Sequence, residues 1–280
     1  MSPLPAATRP EGTRPLPAAL FVALLALGCA SVPRPGPDGT RIVHHVEQYP
    51  SVGHAIAVDR YSAVYSTVAP TRRPAVILLH GSGGLILGGG RSVRRYARAL
   101  AARGFETFVI HYFDRTHTWV AGGPSERRNF SRWVQTVSDG ITYARHQPSV
   151  DSTRVGLVGI SLGAYLAVGA AAADKRVTAV VDISGGLEPF LQDRVTRLPP
   201  ALILHGSHDK VVPVAEAFLL ARYLSLRDMH YEMRIYEGEG HQFADSTEAD
   251  AVARSSDFLR KVTSEGSAPA HLEAGGRPER

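Results

Sequence analysis

The sequence holds a single cysteine, Cys29, among its 280 residues. One cysteine excludes an intrachain disulfide and any metal site built from several thiolates. Lysine is also scarce, because arginine supplies nearly all of the positive charge and only Lys175, Lys210 and Lys261 occur. Although the formal net charge is +5, the chain has no block of basic residues of the kind that binds nucleic acid. We therefore expect neither a disulfide scaffold nor a nucleic-acid-binding protein.

A short apolar run near the start of the chain has the features of an export signal. The run "LPAALFVALLALG", residues 16–28, follows Arg9 and Arg14 and ends in small residues. It is shorter than the roughly 20 apolar residues that span a bilayer. A basic start, a short apolar core and small residues at the end are typical of a secretory signal peptide. We therefore expect residues 1–28 to be removed and the mature protein to be exported to the bacterial envelope.

The segment "LALGCA" around Cys29 resembles a bacterial lipobox, in which the cysteine becomes the lipidated first residue of the mature chain. Such boxes prefer Leu three residues before the Cys and a small residue two before it, whereas Ala26 and Leu27 stand here. An ordinary signal peptide cleaved nearby is the alternative, which gives a periplasmic or secreted protein. A membrane attachment through Cys29 is the expectation that the lipobox adds.

The rest of the chain divides into a tether, one domain and a tail. Residues 29–40 are rich in Pro and Gly, as in a linker, and residues 264–280 have little apolar surface to bury. Residues 41–263 lie between them, without an internal repeat. The whole sequence is 44% apolar and 20% charged, which is the composition of an ordinary globular protein. We therefore predict a single globular domain over residues 41–263.

Strand-like and helix-like segments alternate through this domain. Eight apolar, β-branched runs are typical of strands: "RIVHHVE", "HAIAVDRYSA", "PAVILLHG", "FETFVIHYF", "RVGLVGI", "VTAVVDIS", "PALILHG" and "EMRIYEG". Helical patterns occupy residues 91–103, 126–146, 162–173, 213–227 and 246–262. The later strands are almost continuously apolar, as in parallel strands that are buried on both faces.

This alternation predicts an α/β fold with a mostly parallel eight-stranded sheet and helices on both faces. The first two runs alternate polar with apolar residues and have no helix between them, so we expect an antiparallel edge. The stretch between Ser184 and Pro199 is too short for a separate cap domain. The binding site should therefore be open and shaped by loops.

Chemically useful residues follow several of the predicted strands. Ser161 follows "RVGLVGI", Asp209 follows "PALIL", and His241 follows "EMRIYEGEG". Ligands of open parallel sheets bind beyond the carboxyl ends of the strands. A serine, an acid and a histidine thus come to one edge of the sheet, in the chain order Ser, Asp, His.

Ser161 also lies in the pentapeptide G-I-S-L-G, between a predicted strand and an Ala-rich predicted helix. Gly159 and Gly163 give the room that a strained strand-to-helix turn needs, since a Cβ at either place would meet neighbouring backbone. A second glycine-rich segment, with Gly81 and Gly83, follows the third strand. That segment is not a phosphate-binding loop, because no G-K-[ST] follows it.

In these features the domain resembles an α/β-hydrolase, whose nucleophile lies on such a turn with its partners in this order. More narrowly, "LHGSHDKVVPV" followed by "YEGEGHQF" resembles the dienelactone hydrolase family and its prolyl-oligopeptidase-like relatives. The resemblance covers roughly residues 70–262. Dienelactone hydrolases proper have Cys at the turn where Ser161 stands here, so the resemblance implies a general serine esterase.

The resemblance also implies a role for each residue. Ser161 would be the nucleophile, His241 the base that activates its hydroxyl, and Asp209 the acid that orients the imidazole. The oxyanion would bind the backbone N–H groups of Ser82 and Leu162. No cofactor is implied, and the substrate would be a small-molecule carboxylic ester. The same residues could also serve a peptidase or an acyltransferase.

Several alternatives remain open at this stage. Ser161, Asp209 and His241 could be ordinary turn, capping and surface residues, and Asp182 in "VVDISGG" is an alternative acid. The chain could also be a noncatalytic envelope-associated binding protein that keeps the scaffold. A binding protein of that kind would usually have lost one member of the triad or the glycine loop, and all of them are present here.

Other residues of note have a structural interpretation beside a functional one. His44, His45, His111 and His117 have no carboxylate at a metal-ligand spacing, so we expect no metal site. The loop "DRTHTWVAGGPSERRNF" is the expected wall of an acyl or alcohol pocket, which Trp119 and Phe130 would line. Plain packing is nevertheless the default interpretation of both tryptophans, Trp119 and Trp133. One side of the first predicted helix carries Arg91, Arg94, Arg95 and Arg98. We interpret it as a solvated face, or as a face that rests on anionic lipid.

Overall fold

The computed structural model describes residues 40–64, 72–86 and 88–265. The expected signal peptide, Cys29 and nearly all of the tether lie outside the described residues. Two residues assigned to the tail, Ser264 and Glu265, belong instead to the last helix. No helix in the described part of the chain is both long and apolar enough to cross a membrane.

The described residues of the domain form eight strands and five α-helices. The strands are β1 (Arg41–Ser51), β2 (His54–Val64), β3 (Arg73–Leu79), β4 (Glu106–Ile110), β5 (Val150–Ile160), β6 (Ala179–Ile183), β7 (Ala201–Gly206) and β8 (Tyr231–Tyr236). The helices are α1 (Gly88–Ala102), α2 (Pro124–Arg145), α3 (Leu162–Ala173), α4 (Ala215–Ser225) and α5 (Asp245–Glu265). Each predicted strand and helix is present, with ends that differ by a few residues.

All eight strands form one sheet, in the order β1-β2-β4-β3-β5-β6-β7-β8. Strand β2 pairs antiparallel with both β1 and β4, and every other pair is parallel. The predicted α/β class and the antiparallel edge are confirmed. Between β6 and β7 the regular structure is a short 3₁₀-helix, Pro189–Leu191, so no cap domain is inserted there.

Apolar side chains pack on both faces of the sheet, as expected for central parallel strands that helices cover on both sides. Helices α2, α3 and α4 cover one face, with Trp133 among the fully buried residues. Helices α1 and α5 cover the other face, through residues such as Tyr96 and Leu259. Trp133 is therefore a packing residue, as expected, and its Nε1 donates to Thr116 Oγ1 at 2.9 Å.

The buried carboxylate of Asp59 ties the edge strands to α1. On one side His44 Nε2 lies 3.0 Å from Oδ1, and on the other Arg94 Nε and His111 Nε2 lie 2.8 and 3.2 Å from Oδ2. Burial alone would raise the pKa of Asp59, but the hydrogen bonds from His111 and Arg94 outweigh it and hold the pKa well below its usual range. The sequence spacing of these histidines does not reveal this carboxylate, because the antiparallel pairing of β2 with β1 brings Asp59 to His44 and its pairing with β4 brings Asp59 to His111.

The arginine face of α1 is mostly solvated, as expected, because Arg91, Arg95 and Arg98 are exposed. Arg94 is bound to Asp59, and Arg95 forms ion pairs with Asp245 and Glu248 of α5. With Arg94 on the same carboxylate, the histidines around Asp59 belong to an ion-pair network. No group of three or more His, Cys, Asp or Glu in the described ranges is arranged to hold a metal ion.

Replacing Asp59 by Asn should lower the free energy of unfolding at pH 7 by roughly 2 kcal/mol, since Arg94 and His111 lose a charged acceptor. A carboxylate with a lowered folded-state pKa stabilises the protein above its ordinary pKa and loses that contribution as the pH falls. The difference between Asp59→Asn and the wild type should therefore shrink below about pH 4. Urea unfolding at several pH values measures it.

The matched control is Asp228→Asn, because Asp228 is exposed. This control should match the wild type at every pH. A destabilisation by Asp59→Asn that stays constant from pH 7 to pH 3 would contradict the assigned charge of Asp59.

Candidate active site

The turn between β5 and α3 holds Ser161 in a strained backbone conformation. Its φ and ψ are 58° and −125°, a region that non-glycine residues adopt only where the surrounding structure enforces it. A Cβ on Gly159 would lie 2.1 Å from Gly163 O, and a Cβ on Gly163 would lie 2.3 Å from Leu79 O. Both positions therefore require glycine, and the tight turn lifts the serine side chain to the carboxyl edge of the sheet.

Ser161, His241 and Asp209 form one chain of hydrogen bonds. His241 Nε2 lies 3.0 Å from Ser161 Oγ, and His241 Nδ1 lies 2.7 Å from Asp209 Oδ2. Because a carboxylate only accepts, Nδ1 carries the imidazole proton and Nε2 is free to accept the hydroxyl proton. Ser161 and Asp209 are buried, whereas the His241 side chain is partly exposed. The three residues that follow β5, β7 and β8 thus meet at one point.

The carboxylate of Asp209 is fixed by the backbone that follows it. The N–H groups of Val211 and Val212 donate to Oδ1 at 2.8 and 2.9 Å. These two bonds occupy one carboxylate oxygen and leave Oδ2 for His241. The local sequence D-K-V-V therefore supplies two of the hydrogen bonds that orient the acid.

The glycine-rich segment after β3 lies directly against Ser161. A Cβ on Gly81 would be 3.2 Å from the Ser161 Cβ, and a turn follows in which Gly84 N–H donates to Gly81 O. Within the described residues, the N–H groups of Ser82 and Leu162 donate to no protein acceptor. Two backbone donors beside the serine are thus available to an anionic oxygen.

His80 contacts this segment and stabilises it, a role that its position in the sequence did not reveal. Its Nδ1 donates to Gly81 O at 2.9 Å, and its ring stacks on Tyr112 with centroids 4.1 Å apart. Tyr112 in turn donates its hydroxyl to His80 O at 2.7 Å. Burial lowers the pKa of His80 to about 3, so it stays neutral at physiological pH.

The alternative acid, Asp182, has different partners. It lies on β6, is fully buried, and accepts from Gly185 N–H at 3.2 Å, while its Oδ2 has no hydrogen-bond partner among the residues that the structure describes. Burial raises its pKa to about 7, against the lowering effect of the Gly185 and Gly186 N–H groups. The acid that His241 contacts is Asp209, whereas Asp182 is a buried carboxyl with a raised pKa.

The loop between β4 and α2 lies against the glycine-rich segment, and its Trp119 is exposed, contrary to the packing interpretation. Ala121 N–H donates to Ser82 O at 2.8 Å, and Trp119 beside it is 73% exposed. Phe130 is a core residue that packs edge-on against Phe190, with centroids 5.3 Å apart. The expectation that Phe130 lines a pocket is wrong, because its position on α2 faces the core.

A groove of about 760 Å³ lies at the start of α2, lined by Gly123, Pro124, Glu126, Arg127, Arg128 and Glu188. Burial raises the pKa of both Glu126 and Glu188, and the two carboxylates also repel each other. Arg127 has the opposite effect on Glu188. The groove is therefore polar and carries both signs of charge.

Comparison with known proteins agrees with the fold and the family. The dienelactone hydrolase family matches residues 61–264. A carboxymethylenebutenolidase homolog of Xenopus tropicalis is 20% identical over 225 residues, which is 77% of this chain and 88% of that protein. Thiohydrolase aneE of Aspergillus aculeatus is 25% identical over 125 residues, covering 44% of this chain and only 37% of the thiohydrolase.

Among solved structures, a dienelactone hydrolase-like promiscuous phosphotriesterase, P91, from metagenomic libraries superposes with a TM-score of 0.68. It is 16% identical, and the match covers 79% of this chain and 98% of P91. At that identity the likeness concerns the fold alone. The match of the family model to residues 61–264 establishes that this α/β-hydrolase enzyme belongs to the dienelactone hydrolase family.

Proposed function

We propose that this protein is a serine hydrolase that cleaves small carboxylic esters through an acyl-enzyme formed on Ser161. The observation that carries the proposal is the unbroken chain of hydrogen bonds from Ser161 Oγ through His241 to Asp209. A serine hydroxyl is a weak nucleophile at neutral pH, and a base at hydrogen-bond distance is what activates it. The reaction needs no cofactor.

In the first half of the reaction, Ser161 Oγ attacks the ester carbonyl carbon while His241 Nε2 takes the hydroxyl proton. The carbonyl oxygen becomes an oxyanion that accepts hydrogen bonds from the N–H groups of Ser82 and Leu162. Each of these hydrogen bonds stabilises the transition state by about 3–4 kcal/mol. When the C–O bond to the alcohol breaks, His241 returns the proton to the leaving oxygen. The acyl group remains on Ser161.

In the second half, a water molecule replaces the alcohol. His241 takes a proton from the water, the resulting hydroxide attacks the acyl carbon, and the same N–H groups stabilise the second oxyanion. The carboxylic acid leaves as Ser161 Oγ recovers its proton from His241. The negative charge of Asp209 stabilises the imidazolium in both halves, so the acid itself stays ionised.

The cleaved bond is an ester in this proposal because the nucleophile is Ser161, whereas dienelactone hydrolases proper have Cys there. The open site, without a cap domain, also suits small soluble esters. The relative named a thiohydrolase suggests thioesters as a related class of substrate, since both give the same acyl-enzyme. Parallel assays with an ester and the matching thioester distinguish the two substrates.

Replacing Ser161 or His241 by Ala should lower kcat on p-nitrophenyl acetate by roughly 10⁴–10⁶-fold, because each removes the covalent route as a whole. Steady-state kinetics on the purified, folded variants measures the loss. The matched control is Ser138→Ala, a serine of α2 that contacts Asp174, and it should keep wild-type activity. A Ser161→Ala variant that keeps more than about one hundredth of the activity would contradict the proposal.

The acid assignment predicts different effects for two isosteric substitutions. Asp209→Asn should lower kcat by about 10⁴-fold, since an amide favours the wrong imidazole tautomer. Asp182→Asn should lower it less than tenfold, because Asp182 has no contact with His241. The ester assay above compares them, and a larger loss for Asp182→Asn would assign the catalytic acid to Asp182.

We also propose that the protein is exported and anchored to a membrane by a lipid on Cys29. The basic, short and apolar leader before Cys29 and the lipobox-like segment support this. In the native host, the wild type should sediment with membranes and incorporate labelled palmitate. The Cys29→Ser variant should do neither. Unchanged fractionation of the variant would exclude the lipid anchor and favour an ordinary signal peptide.

A further inference from the structure

We infer that His205 is a positioning residue that holds the catalytic carboxylate of Asp209 in place. The inference rests on the proposed function, since it assumes that Asp209 orients His241. His205 is the next-to-last residue of β7, four residues before Asp209, and its side chain is fully buried. Nothing in the reaction described above uses this second histidine.

The first contact of His205 closes the turn that follows Asp209. Its Nε2 donates to the carbonyl oxygen of Val212 at 2.9 Å. The N–H of the same residue, Val212, donates to Asp209 Oδ1 at 2.9 Å. Val212 is therefore held from both ends of its backbone, and the turn cannot relax without breaking one of these two bonds.

The second contact concerns the carboxylate itself. His205 Nε2 lies 3.4 Å from Asp209 Oδ2, the oxygen that accepts from His241 at 2.7 Å. The N–H of His205 points toward Val212 O, so it makes no second full hydrogen bond to the carboxylate. The carboxylate of Asp209 instead lies near the positive end of the N–H dipole of His205. Oδ2 is thereby steadied while its short bond remains with His241.

The charge state of His205 fits this role. Its Nδ1 is buried and has no hydrogen-bond partner within the described ranges, so a proton added there would find no acceptor in them. Burial lowers the pKa of His205, against the raising effects of Val212 O and Asp209, which favours the neutral ring. A neutral neighbour leaves the negative charge of Asp209 available to the imidazolium of His241.

The surrounding backbone brings the two catalytic loops together above His205. His208 N–H donates to Glu239 O at 2.9 Å, and Ser207 N–H donates to Tyr236 O at 2.9 Å. A Cβ on Gly206 would lie 2.4 Å from Glu239 O, which shows how closely the loops pack. A shift of the turn at Asp209 would therefore change the distance from Oδ2 to His241.

The test compares His205→Gln with His205→Asn. A Gln side chain carries its N–H donor about as far from the backbone as Nε2 of histidine, so it can reach Val212 O, whereas Asn is too short. His205→Asn should lower kcat on p-nitrophenyl acetate by about 10- to 100-fold with little change in KM, because misplacement of a catalytic group slows the chemical step. His205→Gln should recover most of that loss.

The pH profile separates positioning from mere structural support. An ionised, well-placed Asp209 favours the imidazolium form of His241. If His205→Asn lets Asp209 move away, that form is less favoured, and the acid limb of the kcat/KM profile should move to lower pH. His205→Gln should keep the wild-type limb. Titration with a fluorophosphonate gives the concentration of competent sites, which corrects kcat for any unfolded fraction.

Equal losses in the two variants, or a lower melting temperature with unchanged kcat and pH profile, would overturn the role of His205. Those outcomes leave the proposed function intact, because the wild type still hydrolyses the ester. A wild type that shows no ester hydrolysis, and a Ser161 that no probe labels, would instead overturn the proposed function. The two failures are therefore distinguishable.

Discussion

The strained backbone at Ser161 is the constraint on which the rest of the site depends. A φ of 58° at a serine is held in place because Gly159 and Gly163 approach neighbouring backbone more closely than any Cβ allows. The same turn presents Ser161 Oγ to His241 and leaves the N–H of Leu162 without an acceptor in the described part of the protein. The proposed nucleophile and one proposed oxyanion donor thus come from one local conformation, which the packing of β5, α3 and β3 enforces.

The two buried acids near this turn illustrate how environment separates their chemistry. Asp209 accepts two backbone N–H groups on one oxygen and His241 on the other, so both oxygens are satisfied. Asp182 keeps an oxygen without a partner in the described structure, and burial raises its pKa to about 7. An acid that must stay ionised beside an imidazolium needs the first environment. Distance and hydrogen bonding together favour Asp209.

The sequence was sufficient to predict the strands, the helices and the order Ser161, Asp209, His241, because buried parallel strands are long apolar runs and their ends share one edge. It was insufficient wherever the answer depends on contacts between distant segments. Phe130 is buried because α2 packs against the 3₁₀-helix that carries Phe190. Asp59 reaches His44 only through the register of β1 and β2, and the turn that His205 closes is a matter of geometry.

The covalent chemistry of Ser161 is tested by identifying the residue to which a fluorophosphonate attaches. The folded protein is treated with the probe, digested, and its peptides are analysed by tandem mass spectrometry. If Ser161 is the nucleophile, it is the one phosphonylated residue, and ester hydrolysis is lost in proportion to the modification. A protein that hydrolyses esters while Ser161 stays unmodified, or that carries the phosphonyl group on another residue, would contradict that role.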